Sequence, residues 1–208
     1  MYNAIRYAIV RAFIRHYCRK ATAENYLAVR KWEERIPKKY LKIPDKCIVT
    51  PVDVAGIPAE WVTWQGVDTR RTILYLHGGG YVLCSPNTHR PLVCRFVRAS
   101  GARALVIDYR RAPEHPHPTA VEDALTAYRW LLDSGIEPSR IAVMGDSAGG
   151  GLTLALLQIL RDRAIPLPAC AVCLSPWADL TCSGESMKKN RRKDPVLFAP
   201  VVADLARL

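Results

Sequence analysis

The pattern of apolar positions along the chain predicts strands and helices in alternation. Three short apolar runs, each bounded by polar residues or glycine, have the composition of strands buried on both faces. They lie at 72–76, 104–109 and 141–144. Segments with the spacing or composition of buried helices follow them at 88–100, 120–132 and 152–160. This order predicts a mostly parallel sheet with crossover helices on its faces.

The chain before the first of these runs predicts two more strands and a helix. Residues 47–54 and 59–64 alternate as strands do and are joined by a turn at Gly56. Residues 1–20 carry apolar side chains at four-residue spacing with arginines between them, which predicts an amphipathic helix. Its longest uncharged stretch is too short for a signal-peptide core or a membrane span. Contact with a membrane surface is the alternative, but a single aliphatic stripe favours packing against protein.

The apolar run at 141–144 leads directly into Gly145-Asp146-Ser147-Ala148-Gly149. Strand, sharp turn and helix in this order force the residue between the glycines into a strained backbone, and a Cβ at either glycine is expected to collide with its neighbours. The Ser147 hydroxyl then lies beside a helix N-terminus, where backbone N–H groups stabilise an oxygen that becomes negative. A merely flexible turn is the alternative. A phosphate-binding loop is excluded because no Lys-Ser or Lys-Thr follows the last glycine.

A second glycine cluster, His77-Gly78-Gly79-Gly80, follows the strand at 72–76. It is not a dinucleotide-binding fingerprint, because that pattern requires glycine where Leu83 stands. The cluster instead has the character of a second loop at a strand end, where backbone amides face a ligand. We predict that the amides of Gly78 and Gly79 join that of Ala148 in an oxyanion hole.

Three motifs together resemble the hormone-sensitive-lipase-like branch of the α/β-hydrolases. They are 77–80, 108–116 and 145–149. The resemblance runs from about Trp32 to the C-terminus and also includes 175–181 and 194–195. It departs from the family pattern at Cys84, where glycine is common, at Gly151, where asparagine is common, and at Arg111, where leucine is usual.

The resemblance implies an α/β-hydrolase fold, with helices of an N-terminal cap at 1–45 and a core at 46–208. It implies a carboxylic-ester hydrolase that acts on a small acyl ester with Ser147 as nucleophile, without a cofactor or metal. His77 is expected to shape the oxyanion loop with Gly80, while Asp146, Gly145 and Gly149 support the nucleophile. His115 and His117 precede the serine, and the resemblance gives their loop a structural role.

No histidine follows Ser147 in the sequence, although the fold places its acid and its base after the nucleophile, in that order. Four aspartates follow, none of them in the strand-end context of the family's acid: Asp162, Asp179, Asp194 and Asp204. We therefore expect the triad acid and base and the last strands of the fold to be absent, and esterase activity to be negligible. The ending at 203–208 favours a truncated esterase over a complete product that has lost hydrolysis.

Loss of those strands has a further consequence. The strand-like run at 169–174 becomes a sheet edge with apolar residues on both faces, which predicts aggregation or self-association. A hydrolase-like protein that binds a small ester or a partner without catalysis is the alternative function.

Charge and cysteine content add little to this picture. The net charge of +11 is scattered, without an aromatic-interleaved patch, so no nucleic-acid partner is predicted. The seven cysteines form no framework, and Cys170 and Cys173 point to opposite faces of a strand with no matching Cys/His pair. Reduced thiols in a cytoplasmic protein are the interpretation that this usage favours.

Overall fold

The computed structural model describes residues 12, 25–35, 43–190, 193–197 and 199–208. The chain divides into two compact units, residues 30–178 and residues 1–29 with 179–208. Its elements in chain order are α1 (Tyr26–Glu33), β1 (Cys47–Val54), β2 (Ile57–Trp64), β3 (Thr72–Leu76), α2 (Pro86–Ser100), β4 (Arg103–Ile107), α3 (Thr119–Asp133), β5 (Ile141–Asp146), α4 (Ala148–Asp162), β6 (Cys170–Leu174), α5 (Glu185–Lys189) and α6 (Ala199–Leu205). The predicted helix of residues 1–20 lies outside the described residues except for residue 12, and the cap at 1–45 stays a prediction.

One six-stranded sheet has the order β1-β2-β4-β3-β5-β6. Strands β4, β3, β5 and β6, neighbours in that order, run parallel, whereas β1 and β2 form a hairpin whose second strand lies antiparallel to β4. All five residues of β3 are buried, as their continuous apolar run predicts for a strand covered on both faces. The predicted fold class, a mostly parallel sheet with flanking helices, is confirmed.

The two faces of the sheet carry separate cores because successive side chains of a strand point to opposite sides. Leu74 and Leu76 of β3 belong to a cluster with Leu131 of α3 and Leu156 of α4. On the other face, Tyr75 lies in a cluster with side chains of α2, among them Val93 and Val97. Helices thus cover both faces, and the carboxyl ends of the parallel strands lie together at one edge of the sheet.

The local boundaries follow turn and cap chemistry. The hairpin turns at Ala55 and Gly56, with φ of 52° and 87°, and β2 begins two residues earlier than the sequence pattern predicts. Helix α2 also begins two residues early, because Ser85 caps it and Pro86 occupies its first turn. Its predicted end at Gly101 is confirmed, with φ of 64° at that glycine.

The expectation that the cysteines are reduced is wrong for two of them. Cys47 at the start of β1 and Cys94 of α2 form a disulfide, with Cα atoms 6.1 Å apart. They are 47 residues apart in sequence, and only the packing of α2 beside the hairpin brings them together. Because disulfides persist mainly in oxidising compartments, the predicted cytoplasmic location loses the support that it drew from reduced thiols.

Strand β6 is the last strand of the sheet in the described part of the chain. Among the described strands it pairs with β5 alone, and its first three residues are exposed, including Val172 at 39%. The predicted edge position is therefore present, while the self-association expected from it stays a prediction. Within the described residues, no helix is long and apolar enough to cross a membrane.

Candidate active site

Ser147 occupies the sharp turn between β5 and α4. Its φ of 51° and ψ of −119° put it in the strained conformation that the sequence predicts, and its hydroxyl makes no capping bond to the helix. A Cβ on Gly145 would lie 2.2 Å from the carbonyl oxygen of Gly149. Since that oxygen belongs to the backbone and cannot rotate away, the turn can form only with glycine at position 145.

The glycine loop that follows β3 lies directly against this turn. Strands β3 and β5 are neighbours, with Leu76 opposite Gly145. A Cβ on Gly149 would lie 1.9 Å from the carbonyl oxygen of Leu76 and 2.6 Å from that of His77. The first turn of α4 therefore packs on the start of the glycine loop, and the two predicted loops meet at one edge of the sheet.

The three amides predicted for the oxyanion hole are not equivalent. The Gly78 N–H donates a 3.0 Å hydrogen bond to the Asp146 carboxylate, so it is engaged and departs from the role predicted for it. In the described part of the chain, the N–H groups of Gly79 and Ala148 have no acceptor. Ala148 is the first residue of α4, where orphan N–H groups and the helix dipole favour an anion.

The Asp146 carboxylate, at the end of β5, connects the nucleophile turn to the glycine loop through hydrogen bonds. Besides the Gly78 bond, it accepts a 2.8 Å hydrogen bond from the Tyr75 hydroxyl and lies 3.3 Å from Nε2 of His89. Burial by itself raises the pKa of Asp146, but the contacts with His89, Tyr75 and Gly78 outweigh burial and leave that pKa below its usual value. The ionised carboxylate thus ties the nucleophile turn to the glycine loop and to α2.

His77 is part of the scaffold of the glycine loop. Its side chain is fully buried, its ring stacks on Tyr109 at 4.2 Å between centroids, and Tyr109 donates to its carbonyl oxygen. Burial and the nearby His89 lower the pKa of His77 to about 3, so the ring is neutral at pH 7. Its Nδ1 lies 2.7 Å from the Gly78 carbonyl oxygen; because a carbonyl only accepts, Nδ1 carries the proton. This arrangement supports the predicted role of His77 in shaping the loop.

The proline-rich loop at 110–118 is held by its own contacts. Arg110 donates a 2.6 Å hydrogen bond to the buried Asp123 of α3, and its backbone N–H donates to the same carboxylate at 2.8 Å. His115 and His117 are exposed on this loop. Among the described residues, no group of His, Cys, Asp or Glu side chains could hold a metal ion.

A cavity of about 360 Å³ lies beside this region but does not include Ser147. Its walls carry charges of both signs, which pair with one another: Arg90 with Glu60 at 2.6 Å and Arg111 with Asp108 at 3.2 Å. We do not assign it as an acyl pocket, because the walls of such a pocket must adjoin the nucleophile and are mostly apolar.

Sequence reasoning missed several residues that the fold brings to the site. His89 and Tyr75 reach Asp146 from 57 and 71 residues away. Arg30 and Glu33 of α1 contact the segment after the glycine loop from about fifty residues away. No motif marks these residues, because each is defined by a partner that only the tertiary structure supplies.

The sequence is similar to those of known hydrolases. A family model described as the alpha/beta hydrolase fold matches residues 73–208. The chain is 49% identical over 168 residues to an acetyl-hydrolase of Streptomyces hygroscopicus, a match that covers 81% of this chain and 54% of that protein. It is 42% identical over 155 residues to the putative acetyl-hydrolase LipR of Mycobacterium tuberculosis, a match that covers 74% and 50%. The chain spans about half the length of these two relatives.

Solved structures extend the similarity to the fold. A crystal structure of an esterase from the bacterial hormone-sensitive lipase family superposes with a TM-score of 0.90 at 43% identity, covering 97% of this chain and 67% of that chain. A crystal structure of EstE5, soaked with ethyl alcohol, superposes with a TM-score of 0.86 at 45% identity, covering 96% of this chain and 67% of that chain.

Proposed function

The chain belongs to the α/β-hydrolases, in their hormone-sensitive-lipase-like esterase branch, and on that premise we propose that it carries the nucleophile half of a carboxylic-ester hydrolase. Ser147 is the proposed nucleophile. The N–H groups of Gly79 and Ala148 are the proposed donors to the oxyanion, and Asp146, His77 and the neighbouring glycines hold these groups in place.

The proposed reaction is acyl transfer in two steps. The Ser147 oxygen attacks the ester carbonyl while a base takes the hydroxyl proton, and the carbonyl oxygen becomes an oxyanion held by the two amides. The C–O bond to the alcohol then breaks as the alcohol takes that proton, which leaves an acyl-serine. Water attacks the acyl-serine in the same way, and the carboxylic acid leaves as the serine regains its proton.

One observation carries this proposal. The strained Ser147 turn lies against the glycine loop, and the N–H groups of Gly79 and Ala148 are among those at this place that have no acceptor in the described part of the chain. Unpaired N–H groups beside a helix N-terminus and a hydroxyl without a capping bond are what an oxyanion site requires. Similarity to two proteins, the acetyl-hydrolase of Streptomyces hygroscopicus and an ethyl acetate hydrolase of Pseudomonas putida that is 38% identical over 122 residues, favours esters with short acyl groups as the proposed substrates.

The base is the part that we propose is missing from the described residues. Both ring nitrogens of His89 are engaged, by Asp146 and Thr88, and His77 is fully buried with a pKa lowered to about 3, which makes it a weak base. Removing the histidine of a serine triad costs on the order of 10⁶ in turnover. We propose that this 208-residue polypeptide binds esters but turns them over negligibly.

Reaction with a fluorophosphonate tests the nucleophile separately from turnover. Mass spectrometry is expected to find slow covalent labelling of the peptide that contains Ser147, and no labelling after Ser147→Ala. Labelling elsewhere, or none after prolonged exposure of the folded chain, contradicts the proposal and favours the non-catalytic binding protein. Release of p-nitrophenol from p-nitrophenyl acetate at an ordinary rate, abolished by Ser147→Ala, would contradict the predicted inactivity alone.

A further inference from the structure

Residues 79–84, which comprise the end of the glycine loop and the segment after it, have an unusual backbone. Left-handed φ values occur at Gly79 (116°), Gly80 (63°), Tyr81 (62°) and Cys84 (66°). Glycine adopts this region readily, but tyrosine and cysteine do not, because their Cβ approaches the backbone. Such residues persist only where surrounding contacts hold them, so the contacts at Tyr81 and Cys84 determine the shape of the loop.

Cys84 is held on both sides by charged side chains. Its N–H donates a 3.1 Å hydrogen bond to Oε2 of Glu33, and its carbonyl oxygen accepts a hydrogen bond from the Arg111 guanidinium. Arg111 itself pairs with Asp108 at the end of β4, at 3.2 Å. Two positions that depart from the family pattern, Cys84 and Arg111, are thus in contact with each other.

Arg30, three residues before Glu33 on α1, binds the same segment two residues before Cys84, at Val82. Its Nε donates to the Val82 carbonyl oxygen at 2.5 Å, and one terminal nitrogen donates to the Ala112 carbonyl oxygen at 2.7 Å. The other terminal nitrogen pairs with Glu114 at 2.7 Å. The loop is therefore clamped between the end of α1 and the segment at 112–114.

These contacts reach the carbonyl group of Gly79. The Gly79 carbonyl oxygen accepts hydrogen bonds from the N–H groups of Val82 at 3.2 Å and Leu83 at 2.8 Å. A Cβ on Gly79 would lie 2.1 Å from the Leu83 carbonyl oxygen, so the two backbones are in close contact. A shift of 82–84 therefore moves the Gly79–Gly80 peptide and, through the Cα of Gly79, the N–H of that residue.

We propose that Glu33 and Arg30 of α1 are positioning residues that set the Gly79 N–H in the oxyanion hole, and that Cys84 creates the need for Glu33. This rests on the proposed function. Glycine at position 84 would adopt the left-handed φ without strain, whereas cysteine holds it only where contacts such as those of Glu33 and Arg111 stabilise it. The inference links α1 to the proposed acyl-transfer site through two side chains.

A double-mutant cycle tests the dependence. Glu33→Ala is made in the wild-type chain and in the Cys84→Gly variant, and each double or single variant is compared with its own background. One readout is hydrogen exchange at the Val82 and Leu83 amides, which Glu33 does not contact; the other is the rate of fluorophosphonate labelling of Ser147. In the wild-type background we expect exchange to accelerate and fluorophosphonate labelling of Ser147 to slow by about tenfold, less than the loss of a whole donor. In Cys84→Gly, the same substitution is expected to change both rates by less than about twofold.

Matched variants separate positioning from folding. Glu33→Gln keeps an acceptor oxygen for the Cys84 N–H and is expected to restore both rates, and Lys31→Ala, exposed on the same helix, is expected to change neither. If Glu33→Ala has a markedly lower melting temperature than the other variants, Arg30→Lys takes its place in the comparison with wild type. Lysine at position 30 keeps the charge but cannot reach both carbonyl oxygens.

Two results overturn the inference. One is an equal effect of Glu33→Ala in the wild-type chain and in Cys84→Gly; the other is faster exchange of the loop without slower labelling. Absence of labelling in the wild-type chain would refute the proposed function instead, and the exchange rates would still decide whether Glu33 holds the loop.

Discussion

Replacement of Gly149 by alanine separates local propensity from tertiary packing, because the two make opposite predictions. Gly149 lies in the first turn of α4, and alanine in a helix is favoured over glycine by about 1 kcal/mol. Helix propensity alone therefore predicts that Gly149→Ala stabilises the protein.

The structure predicts the opposite sign. The added Cβ would lie 1.9 Å from the Leu76 carbonyl oxygen and 2.6 Å from that of His77. Ordinary contact begins near 3.4 Å, so α4 and the end of β3 must separate by more than an ångström, and neither partner is a side chain that can rotate away. Overpacking of this kind costs about 1–3 kcal/mol or more, and the rigid backbone puts this site at the upper end. We expect a net loss of about 3 kcal/mol, which lowers the melting temperature by about 6–12 °C for a chain of this size.

The assay is urea unfolding followed by circular dichroism, with Gly135→Ala as the control. Gly135 has φ of 80° and nothing within 4 Å of an added Cβ, so alanine there suffers only backbone strain, about 1–2 kcal/mol. Gly149→Ala is expected to lose more stability than Gly135→Ala and to abolish fluorophosphonate labelling of Ser147. A stabilising or neutral Gly149→Ala would refute the packing of α4 on the glycine loop.

Two further predictions concern the contacts that hold the site. The pKa of Asp146 is lowered on folding, so its contribution to stability is present above its unfolded pKa and is lost as pH falls through the folded pKa. Asp146→Asn is expected to cost about 1–3 kcal/mol at pH 7 and to show a weaker pH dependence of stability below about pH 4. Urea titrations at pH 7 and pH 3 measure both effects. The Cys47–Cys94 disulfide closes a separation of 47 residues and is expected to contribute about 4 kcal/mol, so dithiothreitol should lower the melting temperature of the wild type but not of Cys47→Ala/Cys94→Ala. Equal melting with and without reductant would contradict the second prediction.

Much of the fold could be predicted from local pattern. The buried runs at β3 and β5 predict strands covered on both faces, and Gly-x-Ser-x-Gly after β5 favours a tight turn into a helix. These signals depend on side-chain period and on sterics within a few residues, which are the same wherever the segment lies in the protein. The need for glycine at 145 follows from the same rules, because its added Cβ would meet the Gly149 carbonyl oxygen within the same turn, whereas the need for glycine at 149 depends on the carbonyl oxygens at the end of β3.

Contacts between distant segments could not be predicted in this way. Apolar periodicity assigns a residue to a face, but it contains no distance to a residue on another element. Nothing local distinguishes Glu33 of α1 from a solvated glutamate, or Cys47 and Cys94 from unpaired thiols. The reduced-thiol expectation failed for that reason.

By itself, the sequence determined the alternation of elements, the strained serine between β5 and α4, and the glycine loop after β3, because each follows from sterics and period within one segment. Only the tertiary structure decided that the Gly78 N–H is engaged by Asp146, that His89 joins that carboxylate, and that α1 holds Cys84. A hydrogen bond requires its two atoms within about 3 Å, and only the packing of whole elements sets a distance between residues that lie fifty or more positions apart.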